Sequence, residues 1–233
     1  MKYILWFNQV SKEDVAIVGG KGANLGELVK AGIPVPDGFI VTAKAYFDFL
    51  KNTGLEKIIK GKLNKLDPEK SRELNLLAKD IQTAILSKPL PSILSKEISS
   101  AYQQLYTKGS GHIFVAVRSS ATAEDLPNAS FAGQQRTFLN IAGSNEVVEA
   151  VRHCWASLFE PRAIYYRAAN KFDHLKVGIA VPVQKMVQSE KSGIMFTIDP
   201  ITNDRQKIVI EAGWGLGEAV VSGSITPDRY VVD

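Results

Sequence analysis

The stretch that decides how this chain is interpreted is VRSSATAEDLPNASFAGQQRTF, residues 117–138. It follows the apolar run IFVAV, so a buried strand is expected to end at Arg118 and to present a permanently charged guanidinium there. The stretch closes with the small, amide-rich turn AGQQ and with Thr137, and RTFLNIAG predicts a second strand. An arginine and a flexible turn rich in hydrogen-bond donors indicate a site for an anion, whereas a structural salt bridge is the alternative role for Arg118.

Length and composition describe an ordinary folded protein. The chain has 233 residues, of which 45% are hydrophobic and 22% charged, enough for one large domain or two small lobes. Its net charge of +4 is mild, and acids lie among its lysines, so no basic stripe for nucleic acid is predicted. No signal peptide or membrane span is expected. A single cysteine, Cys154, excludes an intramolecular disulfide and cysteine metal clusters, and a cytoplasmic location is expected.

Periodicity predicts an α+β fold with a helix-rich lobe at residues 1–110 and a mixed, antiparallel-sheet lobe at 111–233. Helical spacing dominates from about Leu55 to Lys108, interrupted by the prolines of SKPLPS. Farther along, VGIAVPVQKMV, SGIMFTID and KIVIEAG predict strands joined by turns. Pro182, inside the first of these runs, predicts either an edge strand or a position where no backbone N–H is needed.

Two further segments can carry chemistry. DVAIVGGKGANLGELVKAG predicts a strand, a glycine turn and a helix ending at Gly32, with Lys21 in the turn. Such a turn can bind an anion, although the P-loop spacing is missing and a surface lysine on a tight turn is the alternative. VQKMV can contact the edge of a purine through Gln184 and backbone groups, with Met186 packed on the ring, although most such strands are only structural. EAGWGLGEAVVSG lacks the third glycine of a dinucleotide fingerprint, which disfavours a Rossmann site.

Four long segments in a fixed order together resemble one family. VGGKGANLGELVKAGIPVPDGFIVT, VRSSATAEDLPNASFAGQQRTFLNI, PVQKMVQSEKSGIMFTIDP and GWGLGEAVVSGSITPDRYVV resemble the nucleotide-binding domain of the phosphoenolpyruvate synthase and pyruvate phosphate dikinase family. The resemblance covers essentially the whole chain and implies an ATP-grasp-like fold, with ATP held between two lobes. It implies a magnesium-dependent kinase in which ATP phosphorylates a histidine on a separate domain. The synthase then converts ATP, pyruvate and water to AMP, phosphoenolpyruvate and phosphate.

The resemblance also implies roles for individual residues. Lys21 and Arg118 match the family's phosphate-contacting, catalytic lysine and arginine. The positions that match the loop over the phosphates are Gly133, Gln134, Gln135 and Thr137, and those that match the adenine-binding segment are Gln184, Lys185, Met186 and Val187. No residue here matches a metal ligand, because the family's magnesium-binding acids are expected after Asp233.

The carrier-histidine and pyruvate-binding domains are likewise expected outside this chain, which is therefore expected to be truncated at its C-terminal side and inactive alone. Two alternatives stay open at this stage. One is the nucleotide-binding domain of a related, rifampin phosphotransferase-like enzyme, and the other is a nucleotide-binding module without catalysis. ATP is the expected ligand, and neither nucleic acid nor a membrane is an expected partner.

Overall fold

The computed structural model describes residues 2–64, 66–105, 113–122 and 136–232. It confirms the α+β class, since all strand pairings within these ranges are antiparallel and helices pack on the larger sheet. Contacts divide the chain into two compact units, Met1–Met186 and Val187–Asp233. This division lies at a different place from the lobe boundary expected near residue 110, which stays a prediction. In the described ranges, no helix combines the length and apolar character needed to cross a membrane.

The first unit contains most of the helices and the larger sheet. Its elements in chain order are β1 (Ile4–Trp6), α1 (Val15–Lys30), β2 (Gly38–Val41), α2 (Ala43–Asn52), α3 (Leu55–Leu63), α4 (Ser71–Ser87), α5 (Ser92–Gln104), β3 (Val115–Arg118), β4 (Ser120–Ala121), β5 (Thr137–Ile141), α6 (Ser144–Ser157), α7 (Pro161–Ala169) and β6 (Ile179–Lys185). The strand order is β1-β2-β6-β3-β5, and β4 also pairs with β6. The predicted helix break at SKPLPS is confirmed, because it separates α4 from α5.

The main core lies between one face of this sheet and the helices α2 to α7. Trp155 is its largest fully buried side chain, and its ring centroid lies 5.0 Å from that of Phe49 and 6.1 Å from that of Tyr46. The opposite face carries a smaller cluster, and α1 packs there against β2, β4 and β6. One face of the sheet therefore packs in the main core, and the other face packs against α1.

The strand predicted at DVAIV is wrong, because Val15–Lys30 is helical. Ser11 and Asp14 form a reciprocal cap just before it, in which the Ser11 N–H donates to Asp14 Oδ2 at 2.8 Å. This helix-start signal outweighs an apolar run of only four residues. The predicted helix end at Gly32 is confirmed, since Gly32 follows the last turn with a φ of 75°.

β6 lies inside the sheet, so the prediction that Pro182 marks an edge strand is wrong. On one side of β6, Val183 faces Val117 of β3 and Ala180 faces Ser120 of β4. Pro182 therefore lies opposite the break between β3 and β4. An interior strand tolerates a proline at such a place because the interrupted ladder needs no N–H from it.

The second unit is a three-stranded antiparallel sheet with one short helix. Its elements are β7 (Lys191–Phe196), β8 (Ile208–Trp214), α8 (Glu218–Val221) and β9 (Asp228–Val232), with strand order β7-β8-β9. In the turn between β7 and β8, the carboxylate of Asp199 accepts the N–H of Ile201 at 2.8 Å. β7 and β8 confirm the strands predicted from SGIMFTID and KIVIEAG.

A buried arginine ties the end of α7 to the segment that follows it. Arg167 is fully buried, and its Nη2 donates to the carbonyl of Leu158 at 2.7 Å. Its Nε donates to Nδ1 of His174 at 3.0 Å, and its guanidinium lies over the ring of Phe159. Burial, together with the charge of Arg167, lowers the pKa of His174 from 6.5 to about 4. His174 is therefore a neutral acceptor in the folded state.

This pair predicts a pH dependence of stability. Between about pH 6.5 and 4 the unfolded chain binds a proton at His174 that the folded chain does not, so the free energy of unfolding should fall as the pH falls through this window. Urea unfolding at several pH values measures it, and His174→Gln should flatten the curve because the amide does not titrate. A variant whose stability falls as steeply as that of the parent would contradict the role given to His174.

Candidate functional site

Arg118 and Thr137 are brought together by strand register. Arg118 ends β3 as predicted, and it pairs directly with Thr137, the first residue of β5. Because cross-strand partners point to the same face, both side chains lie on the face opposite Val117, which is buried in the main core. Arg118 is half-buried, and burial lowers the pKa of its guanidinium from the usual value. An arginine nevertheless stays charged at neutral pH.

Lys21 lies beside the same strand end through the backbone. Gly19 breaks α1 with a φ of 68° and a ψ of 168°, and the helix resumes at once with Lys21 in its first turn. The Lys21 N–H donates to Ser120 Oγ at 3.1 Å, and Ser120 is only two residues after Arg118. A side chain at Gly19 would collide with Ser120, so the close approach requires glycine. The N-terminus of a helix favours anions, and this helix start places Lys21 near the end of β3.

The predicted adenine segment continues β6 on the same sheet. Gln184 pairs with Ala116, which alternates with Val117, so Gln184 shares the sheet face of Arg118. Its Nε2 donates to the Pro36 carbonyl at 3.2 Å. The site residues on this face are therefore Arg118, Thr137 and Gln184, which three different strands supply.

The last three residues of that segment differ in their surroundings. Lys185 forms an ion pair with Asp37 at 3.0 Å, and the Met186 N–H donates to the Phe114 carbonyl at 2.9 Å. Val187 is exposed and belongs to the second unit. The structure thus brings Gln184 and Lys185 onto the sheet that carries Arg118, and Met186 directly follows their strand.

The predicted loop residues Gly133, Gln134 and Gln135 lie outside the described residues. The residue that follows them is described, and its position is well defined by contacts. The Arg136 N–H donates to Ser119 Oγ at 2.8 Å, and its Nε donates to Glu160 Oε1 at 2.6 Å. This end of the predicted loop is therefore held beside Arg118.

A cluster of candidate metal ligands was sought among the described residues. In the ranges that the structure covers, no three His, Cys, Asp or Glu side chains are grouped as metal ligands would be. The magnesium ligands expected after Asp233 stay a prediction. Of the histidines, His153 packs near the ring of Phe138 and His174 accepts from Arg167, which gives both a structural role.

Sequence reasoning missed Ser119 and Ser120, which connect the parts of this site. Both are buried, and both hydroxyls bond to residues distant in sequence. The available signal was the pair of hydroxyl residues directly after Arg118, since small polar residues at a strand end often bond to nearby backbone.

The described arrangement suits an anion. A half-buried guanidinium, a hydroxyl and a lysine at a helix start lie around the end of β3. Such groups neutralise charge and hold phosphoryl oxygens in place, which is most of what a protein contributes to phosphoryl transfer. The geometry is therefore suited to binding a polyphosphate.

Comparison with known proteins agrees with this chemistry. The family model described as "Pyruvate phosphate dikinase, AMP/ATP-binding domain" matches residues 15–233. A probable phosphoenolpyruvate synthase of Methanothermobacter thermautotrophicus is 54% identical over 234 residues, covering 100% of this chain and 34% of the relative. The phosphoenolpyruvate synthase of Pyrococcus furiosus is 48% identical over 265 residues, covering 100% of this chain and 32% of the relative.

A probable phosphoenolpyruvate synthase of Archaeoglobus fulgidus is 53% identical over 230 residues, covering 99% of this chain and 30% of the relative. The chain thus spans about a third of the length of these curated relatives. Both the family match and the identities extend over nearly the whole chain. The chain belongs to the pyruvate phosphate dikinase AMP/ATP-binding domain family.

Proposed function

We propose that this chain is the ATP-binding portion of a phosphoenolpyruvate synthase (pyruvate, water dikinase). The names of its relatives support this activity over the rifampin phosphotransferase-like alternative. In the complete enzyme, ATP phosphorylates a carrier histidine on a separate domain. The phosphoryl group then reaches pyruvate, so that ATP, pyruvate and water become AMP, phosphoenolpyruvate and phosphate.

The observation that carries the proposal is the pairing of Arg118 with Thr137 beside the helix start at Lys21. In this proposal the planar guanidinium of Arg118 binds phosphate oxygens as a fork, and the ammonium of Lys21 adds a second positive charge. Thr137 donates its hydroxyl from the same sheet face. Half-burial of Arg118 strengthens its attraction for phosphate, because less water screens the charge.

The remaining predicted residues complete the nucleotide site in the same proposal. The loop residues Gly133, Gln134 and Gln135 cover the phosphates, and Gln184–Val187 hold the adenine. Asp37 holds Lys185 in this segment, because its carboxylate pairs with the Lys185 ammonium and its carbonyl accepts the Lys185 N–H at 2.9 Å. The Met186 side chain lies where the Asn140 N–H approaches its sulfur at 3.0 Å, next to β5.

We further propose an ATP-grasp-like fold whose remaining parts follow Asp233 in the sequence, and a cytoplasmic location. Those parts include the carrier-histidine and pyruvate-binding domains and the acids that bind magnesium. Bound magnesium would neutralise phosphate charge that develops during transfer. In this proposal this chain contributes the cations and hydroxyls of the site.

A chimera tests the proposal directly. This chain replaces the matched third of the Methanothermobacter relative, and AMP formation is measured with ATP and pyruvate together and with each alone. We expect AMP in excess over enzyme only with both substrates, because ATP alone can load each carrier histidine no more than once. Lys21→Ala in the chimera should lower kcat/KM for ATP by at least about 10-fold, because one charge-assisted phosphate contact is lost.

Lys57→Ala provides the matched control, since Lys57 is exposed on α3. It should leave the rate of AMP formation close to that of the unmodified chimera. A folded chimera that makes no AMP, although the unmodified relative does, would rule the proposal out. A chimera that hydrolyses ATP without pyruvate would instead assign this chain to a different phosphotransferase.

A further inference from the structure

Two consecutive buried hydroxyls follow Arg118, and their role is not core packing. Ser119 is 2% exposed and Ser120 is fully buried. A buried hydroxyl costs free energy unless it is hydrogen-bonded, so the partners of each one indicate what it does. Each of the two bonds to a different segment of the proposed phosphate site.

Ser120 holds the helix start that carries Lys21. Gly19 breaks the helical path, and the helix resumes with Lys21 in its first turn, where backbone N–H groups are often capped by side chains. Ser120 Oγ accepts that N–H at 3.1 Å, although the two residues are 99 positions apart in sequence. The Ser120 hydroxyl therefore caps the start of this helix from a neighbouring strand. It fixes the position of Lys21 relative to Arg118.

Ser119 holds the start of β5. Its N–H donates to the Arg136 carbonyl at 2.9 Å, and the Arg136 N–H donates to Ser119 Oγ at 2.8 Å. The hydroxyl also lies within 3.2 Å of that carbonyl, to which it donates. Arg136 directly precedes Thr137, the partner of Arg118, so Ser119 fixes where Thr137 lies.

These bonds form at the place where β3 and β4 are separated in the sheet. Val117 and Ser120 both pair with β6, and Pro182 lies opposite the interval between them. Pro182 has no N–H to donate to this interval, and the Ser119 N–H donates to the Arg136 carbonyl on the other side of the strand. Ser120 stays in the ladder through its backbone, opposite Ala180, and its hydroxyl makes the separate bond to Lys21.

We propose that Ser119 and Ser120 are positioning residues of the phosphate site, in which Ser120 fixes Lys21 and Ser119 fixes Thr137 relative to Arg118. This inference rests on the proposed function, because it takes Lys21, Arg118 and Thr137 as the phosphate-binding groups. Neither serine contacts the nucleotide. Each acts by holding a binding group in place before ATP arrives, which lowers the cost of ordering the site on binding.

Ser120→Ala tests the first half, with ATP and adenosine titrated separately into the 233-residue chain. We expect the Kd for ATP to rise about 3- to 10-fold, the effect of one lost hydrogen bond, and the Kd for adenosine to stay unchanged. Amide hydrogen exchange, measured by NMR, should accelerate at Lys21 because its N–H has lost its acceptor. Ser157→Ala is the control, since Ser157 is also buried but bonds locally to Cys154.

Ser119→Ala tests the second half, and Ser119→Thr supplies a rescue. We expect the alanine variant to lose affinity for ATP by a similar factor and to speed amide exchange at Arg136. The threonine variant keeps the hydroxyl, so it should recover most of the ATP affinity. If the alanine variant lost ATP affinity only through poorer packing, the threonine variant would not be expected to restore that affinity.

The outcomes separate this inference from the proposed function. If the parent chain binds ATP and adenosine with equal affinity, the assignment of the phosphate site is wrong. The positioning roles of the two serines are then wrong as well. If Lys21→Ala and Arg118→Ala weaken ATP binding but the serine variants bind ATP like the parent, only the positioning roles are overturned. Equal losses for ATP and adenosine, with a melting temperature lowered well beyond that of Ser157→Ala, would show a merely structural role.

Discussion

Replacing Arg118 by alanine is expected to weaken ATP binding about 10- to 100-fold, which corresponds to the loss of a charge-assisted contact of about 1.5–3 kcal/mol. Arg118 lies at the end of β3, opposite Thr137, with its side chain half-buried on the sheet face away from the main core. The substitution removes a planar, positively charged guanidinium but little packing in the main core. Calorimetric titration with ATP measures the effect, and the melting temperature should change by only a few degrees.

Two further variants sharpen that measurement. Arg118→Lys keeps the charge but loses the planar fork, so its affinity for ATP should lie between those of the parent and the alanine variant. Arg72→Ala removes an exposed arginine from α4 and should leave ATP binding unchanged. An Arg118→Ala chain that binds ATP as the parent does would leave Arg118 with the structural salt-bridge role considered as its alternative.

Replacing Arg167 by alanine is expected to lower the free energy of unfolding by about 3–5 kcal/mol, because it creates a cavity and leaves buried acceptors without a donor. The carbonyl of Leu158 and Nδ1 of His174 would both lose their partner. The ring of Phe159 would lose the group that lies against it. Urea unfolding at neutral pH measures the change.

Arg167→Met separates the causes of that loss. The methionine fills most of the volume without donating hydrogen bonds, so it should recover part of the stability that alanine loses. If Arg167→Ala unfolds at the same urea concentration as the parent chain, the buried arginine contributes nothing measurable.

Local patterns were sufficient to predict most elements of this fold. Strand and helix periods gave the right type for β3, β5 and β6 and for the helices on either side of SKPLPS. They failed at DVAIV, where a cap between Ser11 and Asp14 started a helix. At Pro182 they left two alternatives open, an edge strand and a position that needs no N–H, and only the edge strand is wrong, because the neighbouring ladder is interrupted there.

The sequence suggested residues for the candidate site but not how these residues are connected. Arg118 and Lys21 stood out through their charge and their glycine or strand context, whereas their proximity depends on tertiary structure. The pairing of Arg118 with Thr137 follows from strand register across an intervening segment, and register is not readable from either strand alone. The bond from Lys21 to Ser120 depends in addition on a backbone break at Gly19 with positive φ.

The most direct test of the phosphate site is calorimetric titration of the chain with ATP and with adenosine, repeated with the double variant Lys21→Ala, Arg118→Ala. We expect the parent to bind ATP at least about 10-fold more tightly than adenosine, because charge-assisted contacts act only on the phosphates. The double variant should lose that preference while keeping its affinity for adenosine. Equal affinities for ATP and adenosine in the parent, or an undiminished preference in the double variant, would contradict the assignment of Lys21 and Arg118 to the phosphates.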